Sequence, residues 1–241
     1  MTLKERVEAG KQGKYKGLDN GLGGINKYIF GIQRSTYLLC GGLSGASKTF
    51  LCDFILLNAI EDAKKKGVRL DVYYYSFEIN KDIKKLNWLA VQIYRKYGVV
   101  MSPQLIGGLE DEEMTTAQQI MVDAEIDYVE ELFRTIHFRF ENLNPTGIYK
   151  ELLNHANANG KFITEDYEIE GEKKKRVIGY IHNDPNSYTI TCIDHIKLAS
   201  LERNFTIKEN IDKLSQYFVW LRNICKYSFL VVQQFNQGLT K

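Results

Sequence analysis

The chain has 241 residues, 44% of them hydrophobic, and a formal net charge of +2. That length suits one substantial domain with a buried core, and its many aromatics and three prolines argue against long disordered tracts. A charge this close to balance neither demands nor excludes nucleic acid. No apolar run resembles a signal peptide or approaches the roughly 18 residues of a membrane span, so a cytoplasmic protein without membrane contact is expected.

Thr2–Lys11 reads as a short charged helix, followed by a connector bearing Gly13, Lys14, Lys16 and Gly17. The basic residues of this stretch (Lys4, Arg6, Lys11, Lys14, Lys16) read as a solvated linker. Gly21, Gly23 and Gly24 mark turns. Ser35–Gly41 predicts a buried strand. A helix is expected from Lys48 to Lys66, with Leu51, Phe54, Ile55 and Ile60 near helical spacing. Lys64, Lys65 and Lys66 complement its C-terminal dipole, and Gly67 supplies the stop.

Val68–Phe77 reads as a second strand, ending at Glu78. Helices are predicted over Asp82–Tyr97 and Asp111–Phe133, then a strand over Ile136–Phe140 and a helix over Tyr149–Asn159, closed by Gly160. Tyr188–Ile193 is an apolar strand ending at Asp194. A helix over Ile207–Lys226 and a strand over Phe229–Val232, ending at Gln233 and Gln234, complete the pattern. Short apolar strands alternating with helices specify an α/β fold, a mostly parallel twisted sheet covered on both faces.

The polar insertion 161–187 breaks this alternation. Tyr167 and Ile169 alternate with acids, Gly171-Glu172 can turn, and Lys173-Lys174-Lys175-Arg176 leads into Val177-Ile178, which together predict a projecting β-hairpin. Its basic run reads as a solvated face opposite Glu165, Asp166, Glu168, Glu170 and Glu172. Trp88 and Trp220 sit among apolar helix neighbours and are expected in the core. Cys40, Cys52, Cys192 and Cys225 are widely spaced without C-x-x-C, which reads as buried free thiols rather than a metal site.

The strand ends carry the chemistry. Gly42-Leu43-Ser44-Gly45-Ala46-Ser47-Lys48-Thr49 matches the phosphate-binding pattern G-x-x-x-x-G-K-[ST], except that Ser47 stands where the second glycine belongs. Gly42, Ser44, Gly45, Ala46 and Ser47 would cradle phosphate through backbone N–H groups at a helix N-terminus. Lys48 offers a point charge to the β- and γ-phosphates, and the Thr49 hydroxyl suits Mg²⁺. Asp194 suits the metal's outer shell, Glu78 a general base for the attacking water, and Gln234 a sensor of the γ-phosphate. His195 reads as a packing residue.

The succession of this loop, Tyr75-Ser76-Phe77-Glu78, Ile193-Asp194-His195-Ile196-Lys197-Leu198 and Val232-Gln233-Gln234-Phe235-Asn236 resembles the RecA-type core of DnaB-like replicative helicases. The Gln-Gln form is similar to phage members of that group. The resemblance spans roughly Gly17 to Asn236. It implies a P-loop NTPase core with ATP and Mg²⁺ as ligands, Lys48 and Thr49 on phosphate and metal, Glu78 as catalytic base, Asp194 on the metal side and Gln234 as sensor. It also implies a homo-hexamer with ATP at subunit interfaces, translocating on single-stranded DNA, with a primase or loader as further partner. Residues 1–16 then resemble a linker helix and connector, and residues 17–241 an ATPase domain.

Two departures stand out. Gln237 occupies the family's arginine position, and the chain stops at Lys241, before the segment carrying the family's trans-acting arginine. The domain is therefore expected to be incomplete at its C-terminus. The alternatives are a recombination-type or regulatory ATPase, whose loops G-x-S-G-x-x-K-T also resembles, and a non-hydrolysing nucleotide-binding paralogue, which Ser47 favours.

Overall fold

The apolar runs form the strands of one parallel sheet, and the amphipathic stretches between them form its covering helices. The structure, a computed structural model, describes residues 2–13, 15–169 and 172–235. Lys14 of the connector, Glu170 and Gly171 of the hairpin turn, and Asn236 and Gln237 lie outside the described residues.

In chain order the elements are α1 (Leu3–Lys11), α2 (Asn26–Ile29), β1 (Tyr37–Gly42), α3 (Lys48–Lys66), β2 (Leu70–Ser76) and α4 (Lys81–Tyr97). There follow α5 (Pro103–Ile106), α6 (Thr116–Thr135), β3 (His137–Arg139), α7 (Pro145–Asn159), β4 (Gly160–Ile169) and β5 (Glu172–His182). The chain continues through β6 (Tyr188–Asp194), a 3-10 turn (Ile196–Leu198), α8 (Ile207–Cys225) and β7 (Ser228–Gln234).

The sheet runs β1-β7-β6-β2-β3, parallel throughout, while β4 and β5 pair antiparallel as a separate hairpin. Alternate strand residues divide the core into two layers, as the pleat requires. Val72, Tyr74, Ile190, Cys192 and Leu230 face α3, α4 and α6. Tyr73, Tyr75, Ile193, Phe229 and Val231 face α7 and α8. Helices on both faces explain why β2, β6 and β7 read as continuous apolar runs.

Several expectations need correction. β1 is an edge strand with Leu39 54% exposed, not a buried one. On α3 the buried face is Cys52, Asp53, Ile55, Leu56, Leu57, Ala59, Ile60 and Ala63, and Leu51 points outward. α6 begins five residues after Asp111, where Thr115 and Gln118 form a reciprocal capping box. α7 begins earlier than Tyr149: Asn144 caps it and Pro145 occupies its first turn, where a missing N–H costs nothing. α2, α5 and the 3-10 turn carry too few residues for a periodicity to register.

The hairpin matches its prediction. Glu165 faces Arg176, Asp166 faces Lys175 and Glu168 faces Lys173 across the ladder, so the basic run is balanced by its partner strand. Arg176 meets Glu165 at 2.7 Å. The hairpin's base is pinned by Phe162, 5.9 Å from the Trp220 ring on α8, and by the Tyr180 hydroxyl, which donates to the Ala156 carbonyl. Trp88 is fully buried, with the rings of Phe133 and Phe138 edge-on to it. All four cysteines are buried free thiols. Among the described residues no helix is long and apolar enough to cross a membrane.

Candidate nucleotide site

The register of the sheet brings four strand ends to one edge. Gly42 lies beside Gln234, and Ser76 lies beside Asp194. The ladder runs one step past the β2 terminus, where the Phe77 N–H donates to the Asp194 carbonyl at 2.7 Å. Ser76 Oγ then donates to the Ile79 carbonyl, turning the chain so that Glu78 leaves the sheet towards the loop. A cleft of about 290 Å³ results, lined by Ser44, Gly45, Ser47, Lys48, Thr49, Phe50, Glu78, Ile79, Asn87 and Gln234.

The loop after β1 is a turn, closed by the Ala46 N–H on the Leu43 carbonyl, and α3 departs from it at Lys48. Gly45 has φ +76°, with open space where a Cβ would stand. Ser47 is also left-handed, at φ 51° and ψ 30°, and its hydroxyl caps nothing. The position whose glycine is missing thus keeps the glycine-like backbone, at a cost of about 1–2 kcal/mol for an L-residue. Its side chain faces the cleft rather than closing it. Lys48 Nζ donates to the Leu43 carbonyl at 2.6 Å, folded over the loop that would receive the phosphates.

The Thr49 hydroxyl donates to Asp194 Oδ1, while Asp194 Oδ2 is buried with no hydrogen-bond partner among the described residues. This orphaned oxygen beside a hydroxyl is the donor set a hard cation uses. No cluster of three or more His, Cys, Asp or Glu side chains among the described residues could hold a metal ion. A cation here would therefore rest on Thr49 and on a ligand's own oxygens, with Asp194 behind.

Behind Asp194 lies a buried charged group that the sequence reading missed. Lys84 of α4 and Asp53 of α3 are both fully buried. Lys84 Nζ lies 3.0 Å from each Asp53 oxygen, donates to the Tyr74 hydroxyl, and stands 3.7 Å from Asp194 Oδ2. The Tyr74 hydroxyl donates to Asp53 Oδ1 at 2.7 Å. Burial pushes the Asp53 and Asp194 carboxyls above the usual range, and the Lys84 charge pulls both back. Removing one partner of such a pair costs about 3–5 kcal/mol, because the other is left buried and charged. Asn87, one turn beyond Lys84, is 7% exposed and lines the cleft. The one available signal was spacing: Lys84, Asn87 and Trp88 share a helical face, so two polar residues sit in phase with a core tryptophan.

His195 is buried next to Asp194, and burial holds its pKa below the ordinary value. An apolar groove adjoins the cleft, sharing Ser47 and Phe50 with it and walled further by Phe54, Tyr94 and Met101.

No protein-family model matches the chain, and no curated protein matches it. Solved structures do. A DnaB-like replicative helicase, described with its interactions with primase, superposes with a TM-score of 0.61 at 12% identity, over 92% of this chain and 45% of the helicase. The ATPase domain of a second helicase superposes with a TM-score of 0.63 at 12% identity, over 98% of this chain and 72% of that domain's chain. The chain thus spans less than half of the first of these proteins. What it shares with both is architecture: the chain has the RecA-like fold of the ATPase domains of DnaB-like replicative helicases.

Proposed function

We propose that this chain is the ATPase core of a DnaB-like helicase, binding ATP with Mg²⁺ and coupling its hydrolysis to movement along single-stranded DNA. The observation that carries this reading is the convergence of Lys48, Thr49, Glu78 and Gln234 on one cleft, with Asp194 hydrogen-bonded to Thr49 at its floor. Each group has a task there. The loop N–H groups and Lys48 bind and orient the triphosphate. Thr49, backed by Asp194, holds the cation, which when bound neutralises charge on the β- and γ-phosphates. Glu78 accepts a proton from the attacking water, and Gln234 hydrogen-bonds the γ-phosphate or that water.

Assembly belongs to the same reading. None of α1's residues is buried, and Leu3 and Val7 are exposed on it, which suits a helix that packs on a neighbouring copy in a hexameric ring. The primase interactions described for the helicase of similar fold make a primase, or a loader, a candidate partner.

The test is steady-state ATP hydrolysis with and without single-stranded DNA. Hydrolysis that rises with single-stranded DNA is the expected result. Hydrolysis indifferent to every nucleic acid would move the protein to the regulatory ATPases. The strained Ser47 favours one second reading, a site that binds nucleotide without turning it over. Tight ATP binding with no hydrolysis under any condition would select it.

A further inference from the structure

We infer that Asp53 is a positioning residue, clamping the Lys84 ammonium so that it cannot close on Asp194, and so keeping the Asp194 charge available to a cation at Thr49. The inference rests on reading Thr49 and Asp194 as the magnesium side of a nucleotide site.

Three buried groups share the space behind the loop: two carboxylates and one ammonium, all at zero side-chain exposure. One cation cannot neutralise two anions, so its position decides which carboxylate keeps its charge. The geometry is asymmetric. Lys84 Nζ sits 3.0 Å from both Asp53 oxygens and 3.7 Å from the nearer Asp194 oxygen. Tyr74 reinforces the bias by donating to Asp53 while accepting from Lys84. Asp194 is left with one hydrogen bond, from Thr49 on the cleft side, and one unpartnered oxygen. In an interior of low effective dielectric, a gap beyond hydrogen-bond range still steadies the carboxylate without capping it. If Asp53 were neutral, the nearest anion to Lys84 would be Asp194. Direct pairing would cancel the charge a magnesium ion needs, with no atom of the loop disturbed.

The clamp also links two helices to the site. Asp53 lies one turn after Thr49 on α3, and Lys84 lies in the first turns of α4, which the Glu78 segment leads into. The position of the ammonium therefore reports the spacing of α3 and α4 to the same carboxylate.

The experiment compares ATP affinity in Mg²⁺ with ATP affinity in EDTA for the wild-type chain, Asp53→Asn and the double variant Asp53→Asn/Lys84→Met. The wild-type chain is expected to gain affinity with Mg²⁺. Asp53→Asn should lose at least tenfold of that gain, with EDTA affinity within threefold of wild type. Adding Lys84→Met should restore the gain to within threefold of wild type, because the ammonium that covers Asp194 is gone. A merely structural role predicts the opposite order, since the second substitution removes a further contact. Circular dichroism and a denaturation midpoint establish that each variant is folded at the assay temperature. An unchanged gain in Asp53→Asn, or a double variant no better than the single one, overturns the clamp alone. A wild-type chain that binds no ATP, or gains nothing from Mg²⁺, overturns the nucleotide-site reading and the clamp together.

Discussion

The Thr49 hydroxyl donates a 3.1 Å hydrogen bond to Asp194 Oδ1 across 145 residues of chain. That contact joins the first turn of α3 to the end of β6 and fixes the floor of the cleft. Lys48 and Glu78 stand around that floor with separable tasks, one for binding and one for turnover.

Lys48→Ala should abolish detectable ATP binding, because the loop's one point charge for phosphate is lost. Glu78→Gln should leave the ATP Kd within about twofold and lower kcat by roughly 10²–10⁴, the usual worth of a positioned general base. Equilibrium binding and single-turnover hydrolysis check the pair. Turnover unaffected by Glu78→Gln would remove Glu78 from the role of base.

Ser47→Gly should stabilise the fold. Relief of the left-handed strain offers about 1–2 kcal/mol, offset by about 0.5–1 kcal/mol for the freer unfolded chain. A net gain of roughly 0.5–1 kcal/mol in urea denaturation is expected. Ser47→Val should act in the other direction, since a β-branched residue resists positive φ. A Ser47→Gly variant less stable than the parent would show that the serine hydroxyl makes a contact worth more than its strain.

Gly17→Ala tests the connector ahead of the domain. A Cβ at Gly17 would come within 2.3–2.5 Å of the Ile32 and Gln33 backbone. The Gly17 N–H also donates to the Phe30 carbonyl, and Leu18 bridges Ile32 beside it. Backbone cannot yield as a side chain tip can, so a loss of about 2 kcal/mol or more is expected by calorimetry or denaturant midpoint. A loss within experimental error would mean that the connector docks loosely.

His182 sets a pH dependence. Its Nε2 donates to the Cys225 carbonyl at 2.8 Å, and burial, helped by the charge of Arg34, holds its pKa below the ordinary value. The unfolded chain therefore binds this proton more readily than the folded one. Its contribution is present above about pH 6.5, the ordinary histidine value, and is lost as pH falls through the depressed one. His182→Gln should flatten the stability profile in that window, followed as the urea midpoint from pH 8 to pH 5. An unchanged slope would assign the acid limb to other groups.

Much of the fold was legible because its strands are buried on both faces. Residues such as Tyr188 to Asp194 leave no polar alternation to confuse, and Gly67 and Gly160 punctuate the helices before them. The start of α6 was not legible in the same way. Asp111 to Glu113 read as the first turn of a charged helix, and only the reciprocal bonds of Thr115 and Gln118 show where the helix begins. At the site, Lys48, Thr49, Glu78, Asp194 and Gln234 could be placed together because each ends a strand or follows one. Asp53 and Lys84 could not. A charged letter in an amphipathic helix reads as solvent-facing, and their pairing depends on how α3 and α4 meet, which no local window contains.

The order β1-β7-β6-β2-β3 has a consequence for how the molecule comes into being. The strand that delivers the phosphate loop is made early, yet among the described strands its one hydrogen-bonded neighbour is β7, the last. β2 meets β6 with only the α4-to-β5 stretch between them, so that half of the sheet can assemble first. Such distant pairing is slow to close. A nascent chain would hold β1 as an unzipped flap until β7 arrives, and the cleft would exist only once that final strand has slid in to divide β1 from β6.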